Sequence, residues 1–288
     1  MTETNLDEEL LQEYLAECRE HLAAMEADLL AIEGRSGPSD PDRVNRMFRA
    51  AHSIKGGAGY LGFTVIRELA HQTENVLELI RSQELMPVPE IVGVSLKICD
   101  RLRELLSECR TSNSSDIADC VEALARIAAT GVRPDQEGSL KGESKAAPHP
   151  SGSAVGGNET YVKDDIKQRS ILVVDDSSFL RKMVHSALQG HGYSLVEASN
   201  GRVALEVLEK QEFRCILTDL VMPEVDGFGL LAELQKRNVQ APIIVLTADI
   251  QKSTRQRCEE LGASEFIQKP VNAEVLRSAL AGVFNREK

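Results

Sequence analysis

Apolar positions in the first third of the chain recur at three- and four-residue intervals. Leu6, Leu10, Tyr14, Cys18, Leu22, Met25, Leu29 and Ile32 fall on one stripe of a single long helix. Gly34, Gly37 and Pro38 end it, and Asp40 followed by Pro41 supplies an N-cap and a first-turn proline for a second helix through Val44, Phe48, Ala51 and Ile54. Thr64 is a candidate cap for a third helix carrying Ile66, Leu69, Thr73, Val76, Leu77 and Ile80. Two more amphipathic stretches run from Pro89 to Cys109 and from Ser115 to Ala129. Helices with short joins and no strand pattern predict an all-α antiparallel helical bundle over residues 1–130.

The pattern then stops. Residues 131–168 are rich in Gly, Ser, Pro and Lys with little to bury, which predicts a flexible linker. A chain of roughly 35 such residues spans about 30–35 Å end to end, so flanking domains can meet. From Ser170 the period changes. Short β-rich runs at Ile171–Val174, Leu195–Ala198, Cys215–Thr218, Ile243–Leu246 and Glu265–Ile267 alternate with helical patterns. Over residues 169–288 this predicts an α/β doubly wound fold, a five-stranded parallel sheet covered on both faces. Ligands of such sheets bind beyond the carboxyl ends of the strands, where Asp175, Asp176, Asp219, Thr247 and Lys269 all fall.

Charge and cysteine usage narrow the partners. The net charge of −12 sits almost wholly in residues 1–130, which hold 13 Lys+Arg against 23 Asp+Glu. Without a Lys/Arg cluster, neither nucleic acid nor an anionic membrane surface is an expected partner. Cys18, Cys99, Cys109, Cys120, Cys215 and Cys258 show no C-x-x-C or zinc-type spacing, as expected of free thiols in a reducing compartment. The opening MTETNLDEELL is acidic where a signal peptide is basic and apolar, and no run approaches the ~18 apolar residues of a membrane span. The expected location is cytoplasmic.

Two stretches carry chemistry. In AAHSIKGGAG, residues 50–59, His52 precedes Lys55 by three positions on the second helix. Gly56 and Gly57 each cost about 1 kcal/mol of helix stability relative to alanine, a cost explained if small residues let another active site reach an exposed imidazole. Lys55, and Arg49 a turn earlier, can offset phosphoryl charge. If the His71/Glu74 face of the third helix packs on the second, Glu74 can accept one ring proton and raise the basicity of the other nitrogen. His21, His149, His185 and His191 occupy helix-surface, linker and turn positions without such a companion set. A literal G-x-G-x-x-G from Gly57 to Gly62 lacks the preceding strand a dinucleotide site needs. Downstream, ILVVDD, LTDLVMP, IIVLTAD and FIQKP crowd three carboxylates at one sheet end. They raise one another's pKa unless a cation neutralises them, and a hard divalent ion such as Mg²⁺ suits the oxygen donors.

The AAHSIKGGAGYLGF string resembles the histidine phosphotransfer (HPt) domain at the N-terminus of chemotaxis histidine kinases. The Asp-Asp, Asp-x-x-x-Pro, Thr-Ala and Lys-Pro elements, in that order, resemble a two-component response-regulator receiver domain of flavodoxin-like fold. The first resemblance implies phosphohistidine at the nitrogen of His52 remote from the backbone, with Lys55, His71 and Glu74 as polar neighbours. The second implies phosphoaspartate at Asp219, which with Asp176 ligates Mg²⁺ directly. Asp175 acts through metal-bound water and Val221 offers its backbone carbonyl. By the same likeness Lys269 pairs with the acyl phosphate, Thr247 gives it a hydroxyl, Phe266 is the switch aromatic, and Lys269–Pro270 is cis. The apolar Val221 implies slow loss of phosphate, and Phe179, Leu180 and Met183 are where receivers commonly dock on phosphotransfer helices.

No G-x-x-x-x-G-K-[ST] is present, and nothing resembles a kinase catalytic domain or a DNA-binding output. The expected role is a phosphorelay intermediate rather than a kinase. It would be fed by a separate histidine kinase and exchange phosphate with response regulators or other phosphorelay proteins. The alternative is a receiver acting as an interaction switch or phosphate sink without direct transfer between His52 and Asp219. The sequence leaves kinase, target, direction of flow and oligomeric state open.

Overall fold

The structure, a computed structural model, describes residues 3–33, 40–130, 170–248 and 251–286. The expected linker 131–168, with His149, lies outside them. In the N-terminal part α1 (Glu3–Glu33), α2 (Pro41–Tyr60), α3 (Thr64–Arg81), α4 (Pro89–Ser107) and α5 (Ala118–Thr130) form the expected bundle. The α1 stripe from Leu10 to Ile32 is buried against α2 and α4. Asp40 caps α2 as expected, its Oδ1 accepting the Asp42 amide at 3.1 Å.

Two caps differ from expectation. Thr64 is the first helical residue of α3 and its hydroxyl donates to Asn113 Oδ1 at 3.1 Å. The chain reverses instead at Gly62, whose φ of +74° suits glycine, and the Phe63 amide closes the turn on the Ala58 carbonyl at 2.9 Å. The fifth helix starts at Ala118 rather than Ser115. A 3-10 turn at Ser112–Ser114 intervenes, and Asp116 Oδ1 accepts the Ala118 amide at 2.9 Å.

The C-terminal part alternates as expected: β1 (Ser170–Val174), α6 (Ser178–Leu188), β2 (Ser194–Ala198), α7 (Gly201–Leu208), β3 (Cys215–Asp219), α8 (Gly227–Lys236), β4 (Ile243–Thr247), α9 (Lys252–Glu260), β5 (Glu265–Gln268) and α10 (Ala273–Arg286). The strands are parallel in the order β2-β1-β3-β4-β5. Crossovers leave in opposite directions from β1 and β3, which opens a crevice at their carboxyl ends. Asp219 and Thr247 are the last residues of β3 and β4, one position beyond the runs the sequence marks.

Strand alternation sends Ile171, Val173, Leu217 and Ile244 to one face of the sheet, and Leu172, Val174, Ile216 and Val245 to the other. The first face joins α6 and α10 in a core that continues through α6 into the helical bundle. Phe179 at the start of α6 is the link. Its ring centroid lies 5.4 Å from that of Tyr14 on α1 and 5.8 Å from that of Tyr60 at the end of α2.

Gly57 sits beneath this contact. A Cβ there would collide with the Tyr14 ring and lie 3.2 Å from Phe179 Cε1. The glycine therefore serves the bundle's own packing first and the α/β domain second, where the sequence suggested only space beside the imidazole. Gly57→Ala is expected to lower the stability of the full chain by about 1 kcal/mol. Overpacking of about 1–3 kcal/mol exceeds the gain in helix propensity of about 1 kcal/mol. Thermal unfolding checks this, and a midpoint at or above wild type would mean that Tyr14 swings aside freely.

Candidate functional site

His52 lies on the α2 face that packs against α3, and its Nδ1 is 2.6 Å from Glu74 Oε1. Burial pushes the Glu74 pKa up, but His52 and Lys55 more than offset this and hold it below the ordinary glutamate value. An ionised carboxylate only accepts, so in the neutral ring Nδ1 carries the proton and the lone pair is on Nε2. Nε2 is buried and has no hydrogen-bond partner. Lys55 Nζ reaches the other Glu74 oxygen, and Phe48 stacks near the imidazole at 6.3 Å. His71, with an exposed side chain, and His52 line one cavity between them. Glu74→Ala would leave both Nδ1 and Lys55 without this acceptor. We expect phosphohistidine formation to fall on the order of 10- to 100-fold, the range for losing a carboxylate that orients a working imidazole. Acid-labile phosphate measures it.

The expected exposure of His52 is not observed: the residue is only 6% exposed. The imidazole faces a cavity of about 1190 Å³ whose walls come from both domains. Arg49, Lys55, Glu74 and Arg81 line it from the bundle, and from the receiver side Val221 and Met222 after β3, Thr247 at the end of β4 and Ala248 just beyond it. Arg49 Nε is 3.9 Å from Asp176 Oδ2 across the gap. Two further expectations fail: His21 Nε2 lies 3.3 Å from Glu17, and His185 Nε2 3.2 Å from Glu197. The first pair lies within α1 and the second joins α6 to β2.

At the carboxyl ends of β1 and β3, ligand oxygens of Asp175, Asp176 and Asp219 lie within 4.8 Å of one another. Burial raises the Asp175 pKa; Asp219 adds to this and Lys269 opposes it. Asp176 is held well above the ordinary aspartate value by burial, then by Asp175 and Asp219. Lys269 Nζ stands 2.9 Å from Asp175 Oδ2 and 3.0 Å from Asp219 Oδ2. Burial works against its charge, but the two carboxylates overcome this and raise its pKa. One ammonium against three carboxylates leaves net negative charge in a buried pocket, and the all-oxygen donor set fits a hard divalent cation such as Mg²⁺. Asp219 Oδ1 accepts the Leu220 amide at 2.7 Å. The Lys269–Pro270 peptide is cis, as the resemblance implies. Thr247 lines the cavity; Phe266 is half-buried with the Arg255 guanidinium 5.3 Å from its ring centroid.

Some supporting residues escape sequence reasoning. Gly227 packs so tightly on the backbone at Asp219 and Leu220 that a Cβ would clash with both, and its amide donates to the Leu220 carbonyl at 3.0 Å. Arg181 holds the Asp175 carbonyl at 2.6 Å while its Nε reaches Glu197 at 2.7 Å. The glycine after Asp226 was the available signal for the first; the second had none.

Comparison with known proteins agrees with this division. Residues 9–129 match the model of the Hpt domain, and residues 171–281 that of the response regulator receiver domain. The probable transcriptional regulator ycf27 of Porphyridium aerugineum is 34% identical over 121 residues, 42% of this chain and 50% of that protein. The chemotaxis protein CheA of Rhizobium meliloti (strain 1021) is 38% identical over 110 residues, 38% of this chain and 14% of that protein. A crystal structure of Vibrio cholerae chemotaxis protein CheY4 is 33% identical and covers 40% of this chain and 98% of its own, with a TM-score of 0.39. The chain spans about half the length, or less, of the curated relatives it matches. Among the described residues no helix is long and apolar enough to cross a membrane. An Hpt helical bundle followed by a flavodoxin-like response regulator receiver domain, the chain is a protein of two-component phosphorelay signalling.

Proposed function

We propose that the chain is a cytoplasmic phosphorelay intermediate in which a phosphoryl group passes between Asp219 and His52 of the same molecule. The observation that carries this is the orphaned, buried Nε2 of His52, on a residue lining a cavity whose far wall is made by the loops after β3 and β4. In the transfer to histidine, the Nε2 lone pair forms a bond to phosphorus as the bond from phosphorus to the Asp219 carboxylate oxygen breaks. Glu74 holds the Nδ1 proton throughout and stabilises the positive charge that develops on the ring. Lys269 stays with the Asp219 carboxylate, and Arg49 and Lys55 face the moving phosphoryl charge from the bundle side. Asp175, Asp176, Asp219 and the Val221 carbonyl would hold Mg²⁺, which neutralises phosphoryl charge when bound. The reverse transfer uses the same groups. The chain takes phosphate from a separate histidine kinase or a partner receiver, and the receiver catalyses its own aspartyl phosphorylation from small donors.

The test is phosphorylation of the purified chain by acetyl phosphate and Mg²⁺, separating acid-labile from base-labile phosphate. Phosphohistidine is expected in wild type and absent from both His52→Gln and Asp219→Asn. Acyl phosphate alone, unchanged by His52→Gln, would favour a receiver switch without direct transfer.

A further inference from the structure

The interface between the domains holds a polar clasp beside its aromatic contact. Glu13 and Glu17 are one turn apart on α1, and Ser178 and Lys182 one turn apart on α6. The Lys182 ammonium is 2.6 Å from Glu13 Oε2. The Ser178 hydroxyl lies 2.7 Å from Glu13 Oε1 and 3.1 Å from Glu17 Oε2, and its single proton goes to the nearer. Glu17 Oε2 also accepts the Phe179 amide at 3.0 Å, one of the free N–H groups at the start of α6. The remaining Glu17 oxygen is 3.3 Å from His21 Nε2.

We propose that Glu13 and Glu17 are partner-selecting residues that assign His52 to a receiver whose first helix opens with a hydroxyl residue and carries a cation four positions on, as this chain's own does. This rests on the relay reading above and names the partner of the same site. The apolar part of the interface, Phe179 against Tyr14 and Tyr60, is permissive, because any receiver with a large apolar residue there fits the same groove. The clasp is not. A receiver lacking the hydroxyl and cation would leave Glu13 without its partners across the interface, its charge one turn from that of Glu17, whose side chain is only 14% exposed. Burial pushes the Glu17 pKa up, but His21, the Phe179 amide and Ser177 hold it below the ordinary glutamate value, so the carboxylate is charged where it meets α6. The Lys182 pair is half-exposed and contributes less than Glu17 does.

The test uses the full chain with Glu17→Ala, Lys182→Glu and the charge swap Glu13→Lys/Lys182→Glu. Alanine is the best helix former, so Glu17→Ala leaves α1 intact, and unchanged acyl phosphate at Asp219 confirms a folded receiver. Hydrogen exchange of residues 177–184 is expected to rise about tenfold in Glu17→Ala, the size of one charge-assisted interface bond. It should rise in Lys182→Glu and return toward wild type in the swap. Phosphohistidine formation per molecule should slow in Glu17→Ala and become dependent on protein concentration. Wild-type exchange in Glu17→Ala, or a swap that exchanges no slower than Lys182→Glu alone, would overturn the proposal. Absence of phosphohistidine from wild type would overturn the relay reading instead, while exchange would still decide the clasp.

Discussion

Asp219→Asn is expected to leave the chain unable to take up phosphate and yet more stable than wild type in metal-free buffer. Loss of uptake follows because the amide is no nucleophile and offers one donor oxygen fewer to a cation. The gain in stability follows from the pocket's charge. Asp175, Asp176 and Asp219 share one buried ammonium, and the raised pKa values of the first two arise from burial and from the carboxylates beside them. Removing one charge relieves this repulsion, while Lys269 keeps Asp175 at 2.9 Å. Each kcal/mol so gained raises the unfolding midpoint by about 2–4 °C. Mg²⁺ should narrow the gap, because in wild type the cation offsets the same repulsion. A variant less stable than wild type would mean that the Lys269–Asp219 pair outweighs the carboxylate repulsion.

Phe179→Ala should separate the two chemistries. The ring is 1% exposed, and its aromatic neighbours among the described residues, Tyr14 and Tyr60, both belong to the Hpt bundle. Truncating a buried phenylalanine costs about 3–5 kcal/mol. That cost falls largely on docking, so domain association should weaken by at least about 100-fold. Acyl phosphate on Asp219 should form at an unchanged rate, since the carboxylate pocket and Lys269 are untouched. Phosphohistidine on His52 should fall about 100-fold in dilute protein and recover as concentration rises. Equal losses of both species would show that Phe179 supports the receiver fold rather than the interface.

Much of this was legible in the sequence because it depends on local periodicity. The α1 stripe, the Asp40–Pro41 start of α2 and the β-rich runs are each set by a burial pattern, and strand ends in a parallel sheet converge without further information. Placement of Glu74 beside His52 needed only the assumption that α2 and α3 share a face. Glu13 and Glu17 stayed hidden for a different reason, and so did the pairing of Arg49 with Asp176. On their own helices they read as solvated charges, and their partners Ser178, Phe179, Lys182 and Asp176 lie more than 100 residues away. The burial of His52 was missed likewise, since a pattern within one domain does not report what the other domain covers. Thr64 misled because a backbone turn at Gly62 closes the end a side chain would have capped.

The most direct test is the rate of phosphohistidine formation at several protein concentrations, with acetyl phosphate and Mg²⁺ in excess. Wild type is set against an equimolar mixture of His52→Gln and Asp219→Asn. Transfer within one molecule predicts a wild-type rate per molecule that is constant over about a hundredfold range of concentration, and a mixture that lags far behind when dilute. A wild-type rate proportional to concentration and matched by the mixture would contradict it, as would wild-type protein that carries acyl phosphate and no phosphohistidine.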